Sequence, residues 1–529
     1  MALHLLNHCL IFYPDIDSQQ KFLASIRLDI DSQLNFVANA HIPRSLASDA
    51  ASAAIDAGDL ASAVELLEQG RAILWSKMKG YRYPLDSLRQ VNRQLADALE
   101  NISMELKQLA LLSESELMDH DSLRPNLEVQ MQRNRILSVE REKIIEQIRG
   151  IDGFHNFLQA VPFSTLQTAA SEGPVILINI SNYHSDAIII HTDKSPTLVT
   201  LPNVQPEHLT HLGKQLALAQ VVAQQPDNPE CSALILPILH DLWNDIVFPV
   251  CNCLGQLGVS LASRIWWCPT SELCALPLHA AGLYGDLDPK IQNRKFNLPD
   301  IYTSSYTPTL SALISARSDR VIGQSIVPKL LVIGPDAKSQ KNVQDEIDVI
   351  QKFGDFVDVT VMVDENASCE AVLHGLQKHS WAHFACHGYP GDNFQPFHSS
   401  FKLHNEKHLT LLDLMQARVP NAEFAFLASC HSAAGDPKTP DDFKTPDEII
   451  HLATALQFCG FRSVVGTLWG LADIAGPIVS KAFYKYMFRN LGNKPDIRDS
   501  AKALRMAIKE LRKRGAPFDC WIVLVHIGI

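Results

Sequence analysis

The sequence predicts an α/β fold: a six-stranded, mostly parallel sheet flanked by helices, preceded by a second strand-bearing region and an all-α N-terminal region. Three observations predict it. From residue 329 onward short apolar runs alternate with amphipathic segments; the runs PVILINI (174–180), DAIIIH (186–191) and RIWWCP (264–269) stand ahead of that alternation; and before about residue 160 no run reads as a strand. Continuous apolar strands joined by helices need cover on both faces, which a parallel sheet with helical crossovers supplies. The expected regions are 1–160, 161–326 and 327–529.

Taken in order, Ser45 to Met78 comes first. Ala50, Ala53, Ala54 and Ala57 repeat at helical spacing up to Gly58, and Ala63, Leu66, Leu67, Ile73 and Leu74 resume it beyond. Small residues on one helix let a second approach closely. The segment resembles a tetratricopeptide hairpin, a unit of about 34 residues, and only one repeat aligns. A lone repeat cannot bury its own face, so it is expected either to cap a longer helical stack or to lean on the next domain. Residues 85–148 read as long helices whose Glu, Arg and Gln form a solvated face.

The six strands expected in the last region are 329–334, 357–363, 381–386, 424–429, 462–468 and 520–526. Val343, Ile347 and Ile350 mark one intervening helix, and Leu504, Ile508 and Leu511 another. Thr445, Pro446, Asp447 and Glu448 form a capping box with proline at the first helical position, and Gly460 is expected to stop that helix. Arg498, Lys502, Arg505, Lys509 and Arg512 are expected on the outer face of a surface helix, favoured by its dipole near the C-terminal end.

Composition bounds the function. The chain's 529 residues exceed one ordinary core, and a net charge of −12 argues against nucleic acid as the main partner. No basic n-region opens the chain and no apolar run of transmembrane length stands out, so neither secretion nor a membrane is expected. Eleven cysteines scattered through apolar patterns suit a reducing cytoplasm. Cys251 and Cys253 form an isolated CxC, weak as a zinc signal, and no metal or cofactor is expected.

Two strand ends carry the chemistry. WAHFACHG (381–388) and FAFLASCH (424–431) each place a reactive side chain, His387 or Cys430, one residue past an apolar strand. In open α/β sheets chemistry gathers beyond the carboxyl ends of strands, and a cysteine becomes a useful nucleophile when a histidine takes its proton. Gly388 frees the backbone beside the histidine, so its N–H and that of Cys430 are the expected oxyanion donors. Cys268, Cys386, Cys459 and Cys520 lie in apolar patterns and read as structural. His383 reads as packed behind His387, and His431 as pointing elsewhere. A zinc set of His383, His387, Cys430 and His431 is disfavoured by strand spacing.

These motifs resemble the CHAT domain, a caspase-like peptidase module of the separase and caspase clan that commonly follows tetratricopeptide repeats. HFACHG, LASCHSAAGD, PDEIIHLA and GFRSVVGTLW occur in the family's order. YTPTLSALISAR, WWCPTSELCALPLHAAG and APFDCWIVLVHIG extend the resemblance over roughly residues 165–529, and EQGRAILW (68–75) is similar to the helical segment before such domains. The resemblance implies a caspase-like fold with residues 161–326 as a degenerate half and a regulated cysteine endopeptidase. In it His387 is general base and acid, Cys430 the nucleophile, and the N–H groups of Gly388 and Cys430 the oxyanion hole.

Caspases carry glutamine two residues before the nucleophile; this chain has Ala428, so an aspartate pocket is not expected. Asp436, Asp441 and Asp442 in the loop DPKTPDDFK favour a basic residue before the scissile bond. Expected partners are a protein substrate and a regulatory protein bound by the helical repeats. The alternative is a catalytically silent scaffold of the same fold, which would keep its phenotype after Cys430→Ala.

Overall fold

The computed structural model describes residues 46–71, 85–111, 123–154, 157–158, 161–223, 230–285, 296–318, 328–334, 341–386, 388–389, 399–417, 419, 421–428, 452–472, 475–490 and 495–529. The first two helices, α1 (Leu46–Asp56) and α2 (Leu60–Gly70), form the hairpin expected around Gly58. Gly58 turns the chain at φ +75°, and Asp59 caps α2 by accepting the Ser62 N–H at 3.0 Å. Ala51, Ala63, Val64 and Leu67 are buried in the same core as the strands, so the hairpin leans on its neighbour. Helices α3 (Asp86–Val91), α4 (Arg93–Leu111) and α5 (Leu123–Arg149) close a small core of their own around Leu88, Ala96, Leu99, Ile145, Ile148 and Phe157.

Beyond them lie β1 (Val175–Ile180), β2 (Ser185–Ile190), β3 (Thr197–Thr200), β4 (Arg264–Cys268) and β5 (Thr303–Tyr306). Then follow β6 (Lys329–Gly334), β7 (Asp358–Val363), β8 (Trp381–Phe384), β9 (Gly388–Tyr389), β10 (Ser400–Lys402), β11 (His408–Thr410), β12 (Phe424–Leu427), β13 (Ser463–Thr467) and β14 (Leu524–Gly528). β9, β10 and β11 make a small antiparallel sheet. The other eleven form one sheet in the order β3-β2-β1-β4-β5-β14-β13-β12-β8-β6-β7, antiparallel at β3–β2, β2–β1 and β14–β13 and parallel elsewhere.

All six strands read from the last region are present, the sixth shifted. Phe518–Cys520 turns as a 3-10 helix after Pro517, so the apolar run enters the sheet only at Leu524. β3 and β5 went unread because TLVT and TSSY are short and rich in small polar residues. β14 pairs with β5 at Ile527↔Tyr306 and with β13 along its length, so the two strand sets merge into one sheet.

A buried polar network pins this seam. His526 lies 3.0 Å from Ser305 Oγ through Nδ1 and 2.9 and 2.8 Å from Ser463 Oγ and Ser500 Oγ through Nε2. Arg264 donates to Ser305 Oγ at 2.8 Å and to Gly528 O at 3.1 Å, and burial brings its guanidinium pKa down to about 9. Gly528 sits at φ +90°, where an added Cβ would lie 2.2 Å from Arg462 O, so only glycine fits.

The described helices of six or more residues between strands are α6 (Pro206–Ala223), α7 (Glu230–Leu242), α8 (Phe248–Gln256), α9 (Leu310–Arg317), α10 (Lys341–Gln351), α11 (Cys369–Lys378), α12 (Leu411–Gln416), α13 (Leu452–Cys459), α14 (Ala475–Met487) and α15 (Ser500–Lys513). Two expectations need correction. The helical run Cys231–Gln256, 26 residues with a mean hydropathy of 1.4 over its most apolar stretch, is long and apolar enough to cross a membrane, contrary to the reading that no such run exists. Pro237, Asp241 and Asp245 interrupt the run in sequence. In the fold Ile238, Leu239, Leu242, Trp243, Ile246 and Val250 are buried in the main core.

The basic stripe of α15 is not simply an outer face. Arg512 forms a bidentate pair with Asp300 at 2.9 and 3.0 Å, and Arg505 donates to the Pro299 and Asp300 carbonyls, while Lys502 and Lys509 stay exposed. Long arginine stems cover apolar surface while their heads reach acceptors, a reach that helical spacing does not reveal. α13 ends before Gly460, at φ +122°; the capping box 445–448 lies outside the described residues.

Candidate active site

β8 and β12 are adjacent and parallel, paired Trp381↔Phe424, Ala382↔Ala425, His383↔Phe426 and Phe384↔Leu427. Their burial on both faces explains the unbroken apolar pattern that located them. Being parallel, they leave the sheet at one rim. Among the described residues the last backbone bonds between neighbouring strands there are Ala385 N–H to Ile333 O at 2.8 Å and Ala428 N–H to Phe384 O at 3.1 Å. His387, Cys430, Asp436, Asp441 and Asp442 lie outside the described residues. Gly388 is described: it opens β9, is buried, and faces Phe401 of β10. Phe384 stacks on Phe401 at 4.3 Å, which joins the small sheet to the end of β8. Cys386 is buried at this rim, its thiol pushed up by burial and by Glu346 nearby. Ala428 is half-buried.

One level below the rim sits a polar group that sequence reading half found. His383 is fully buried, as expected of a packed histidine. Its ring stacks on Phe426 with centroids 4.8 Å apart, and Nδ1 lies 3.0 Å from the Tyr484 hydroxyl of α14. Nε2 lies 3.2 Å from Glu346 Oε1 of α10, within ion-pair range but not aligned as a hydrogen bond. Ser480 donates to the same carboxylate, and Gly476 makes room for it: an added Cβ there would stand 3.1 Å from Glu346 Oε2. Glu346 and Tyr484 were missed. The signal was present, since Glu346 stands three residues after Val343 and four before Ile350, a carboxylate on the apolar face of its helix.

The EQGR segment also gains a physical role. Glu68 accepts the N–H groups of Leu310 and Ser311 at 2.9 and 2.8 Å, filling orphan donors at the start of α9. Arg71, buried, donates to Cys268 O at 3.0 Å and Pro269 O at 2.6 Å, at the carboxyl end of β4. Among the described residues no group of His, Cys, Asp and Glu is placed to hold a metal ion.

The family model of the CHAT domain matches residues 234–528, more than half of the chain. The chain belongs to the CHAT domain family. No curated protein matches this CHAT-domain chain. Among solved structures, separase of Saccharomyces cerevisiae in its complex with securin is similar at 12% identity and TM-score 0.48, covering 100% of this chain and 40% of that one. RgpB of Porphyromonas gingivalis, solved with its pro- and mature domains, is similar at 8% identity and TM-score 0.35, covering 61% of this chain and 75% of that one. The Arg-specific cysteine proteinase gingipain R is similar at 9% identity and TM-score 0.35, covering 61% and 74%. The CHAT-domain chain thus spans well under half the length of the separase chain it resembles.

Proposed function

We propose that this protein is a regulated cysteine endopeptidase that cleaves specific protein substrates. The observation that carries the reading is the parallel register of β8 and β12. Phe384 and Leu427 are partners at the ends of strands about 4.8 Å apart, and His387 and Cys430 each follow three residues later in the sequence. Membership of the CHAT family supports it as well.

In this reading the His387 imidazole takes the Cys430 proton, and the thiolate attacks the scissile carbonyl. The N–H groups of Gly388 and Cys430 hold the oxyanion, and His387 returns the proton to the leaving amine. Water then hydrolyses the thioester. No cofactor enters. Asp436, Asp441 and Asp442 favour a basic residue before the scissile bond. Regulation would run through the tetratricopeptide-like helices: Glu65, Glu68 and Arg71 bind backbone groups of the strand-bearing region, giving a protein bound by the helices a mechanical connection to the sheet. The cytoplasm is the proposed location.

The test is labelling with an electrophilic peptide probe followed by peptide mapping. Modification at Cys430 that disappears in Cys430→Ala and falls at least about a hundredfold in His387→Ala is expected. Labelling confined to other cysteines, or unchanged by either substitution, refutes the peptidase and leaves a scaffold of the same fold. A positional-scanning library with no preference for Arg or Lys would remove the role given to the three aspartates.

A further inference from the structure

His383 and Phe426 are register partners, and each stands four residues ahead of one member of the proposed dyad, His387 or Cys430. Both are gripped at that level. Phe426 is held by the His383 stack and by Phe483 at 5.0 Å; His383 is held between Tyr484 and Glu346. The grip therefore comes from two helices, α10 and α14, acting on the two strands that lead to the proposed site.

Burying a carboxylate costs several kcal/mol even when it is paired, and an apolar side chain would fill the same space at less cost. What an apolar contact lacks is a unique level. Hydrocarbon surfaces tolerate sliding, whereas an imidazole hydrogen-bonded to a hydroxyl and within ion-pair range of a carboxylate keeps both contacts in one register. A one-residue slip between β8 and β12 would offset their ends by about 3.3 Å. A misplacement of about 1 Å at reacting groups already costs about a hundredfold in rate.

We propose that Glu346, His383 and Tyr484 are positioning residues for the reaction proposed above, holding the ends of β8 and β12 level so that His387 and Cys430 meet. The inference rests on that reading. Gly476 lies beside the set: an added Cβ would stand 3.1 Å from Glu346 Oε2, close enough to push the carboxylate by a few tenths of an ångström.

The experiment uses the full chain with Glu346→Gln, which keeps size and removes charge, and Tyr484→Phe, which keeps the ring and removes the hydroxyl. Probe labelling is resolved into a maximal rate and a reversible binding constant at a temperature where each variant is folded. The maximal rate is expected to fall about tenfold or more in Glu346→Gln and about threefold in Tyr484→Phe, with the binding constant within about twofold. A purely structural role would lower labelling only in proportion to the unfolded fraction, and that result overturns the proposal.

A second readout needs no activity. Hydrogen exchange at the Ala385 and Ala428 amides, bonded to Ile333 O and Phe384 O, is compared with the Trp266 amide bonded to Pro174 O in the other half of the sheet. Exchange about tenfold faster at the first two alone supports the positioning set. Equal acceleration at all three, or none, overturns it. If the wild-type protein fails to label at Cys430, the peptidase reading falls, and exchange still decides whether these residues hold the strand ends.

Discussion

β4 and β8 are both buried parallel strands of one sheet, and their carboxyl ends are finished differently. Beyond β4, Arg71 reaches in from the helical hairpin to bind the Cys268 and Pro269 carbonyls, and the Thr270 hydroxyl donates to Ile178 O at 2.8 Å. Beyond β8, the described backbone makes one bond to β6 through Ala385 and passes into the segment that carries His387 and Gly388. Open α/β sheets place ligands at their carboxyl ends. In the half that carries β4 that position is filled by the protein's own guanidinium and serves to dock the helical region. The difference explains how one architecture carries a docking surface in one half and the proposed chemistry in the other.

The most severe way to break this contrast is Arg71→Ala. It removes the charged donor from two buried carbonyls, Pro269 O keeping the weaker Cys274 thiol donor at 3.3 Å, and a loss of roughly 3 to 5 kcal/mol is expected in chemical denaturation. Cys268, whose thiol burial pushes up to about 11, should then react faster with a thiol reagent in the native protein. Unchanged stability and unchanged Cys268 reactivity would mean that the stopper is incidental.

Acid gives the next effect. His279, close after β4, is buried against the Tyr306 hydroxyl at 2.9 Å, and desolvation brings its pKa down to about 4. The unfolded chain, with an ordinary value near 6.5, binds the proton first, so stability rises with pH across this window. The contribution is complete above pH 6.5 and is lost as pH falls toward 4, to a total of about 3 kcal/mol. His526, held low by burial and by Arg264, acts in the same direction. Melting curves from pH 7 to 4 should flatten in His279→Asn; an unchanged slope would show that this end of β4 is wetter than its burial implies.

The smallest expected effect is Glu68→Ala, which removes the acceptor for two N–H groups at the start of α9 and should cost about 1 to 2 kcal/mol by thermal unfolding. A loss as large as that of Arg71→Ala would shift the main anchor from β4 to α9.

Much of the fold was legible because burial on both faces writes itself as uninterrupted apolar runs, as in KLLVIG and FAFLAS. The hairpin was legible through alanine spacing and Gly58. What escaped was set by partners distant in sequence. β5 is read as a strand only once Ser305 is seen against Arg264 and His526, and the single continuous sheet exists only through the β5–β14 pairing. At the candidate site the strand ends and His383 were legible from local pattern. Tyr484 was not, because a tyrosine on an amphipathic helix gives no sign of the imidazole across the core.

The place of β14 carries a consequence for biogenesis. It follows every other described strand in the chain yet sits in the interior of the sheet, with β5 on one side and β13 on the other. While a ribosome is still delivering residues 500 to 523, two incomplete half-sheets stand with open hydrogen-bonding borders, each a template for pairing with a neighbouring nascent copy. Chaperone demand for this protein should therefore persist until residues 524–528 emerge, and β14 then closes both borders in one step.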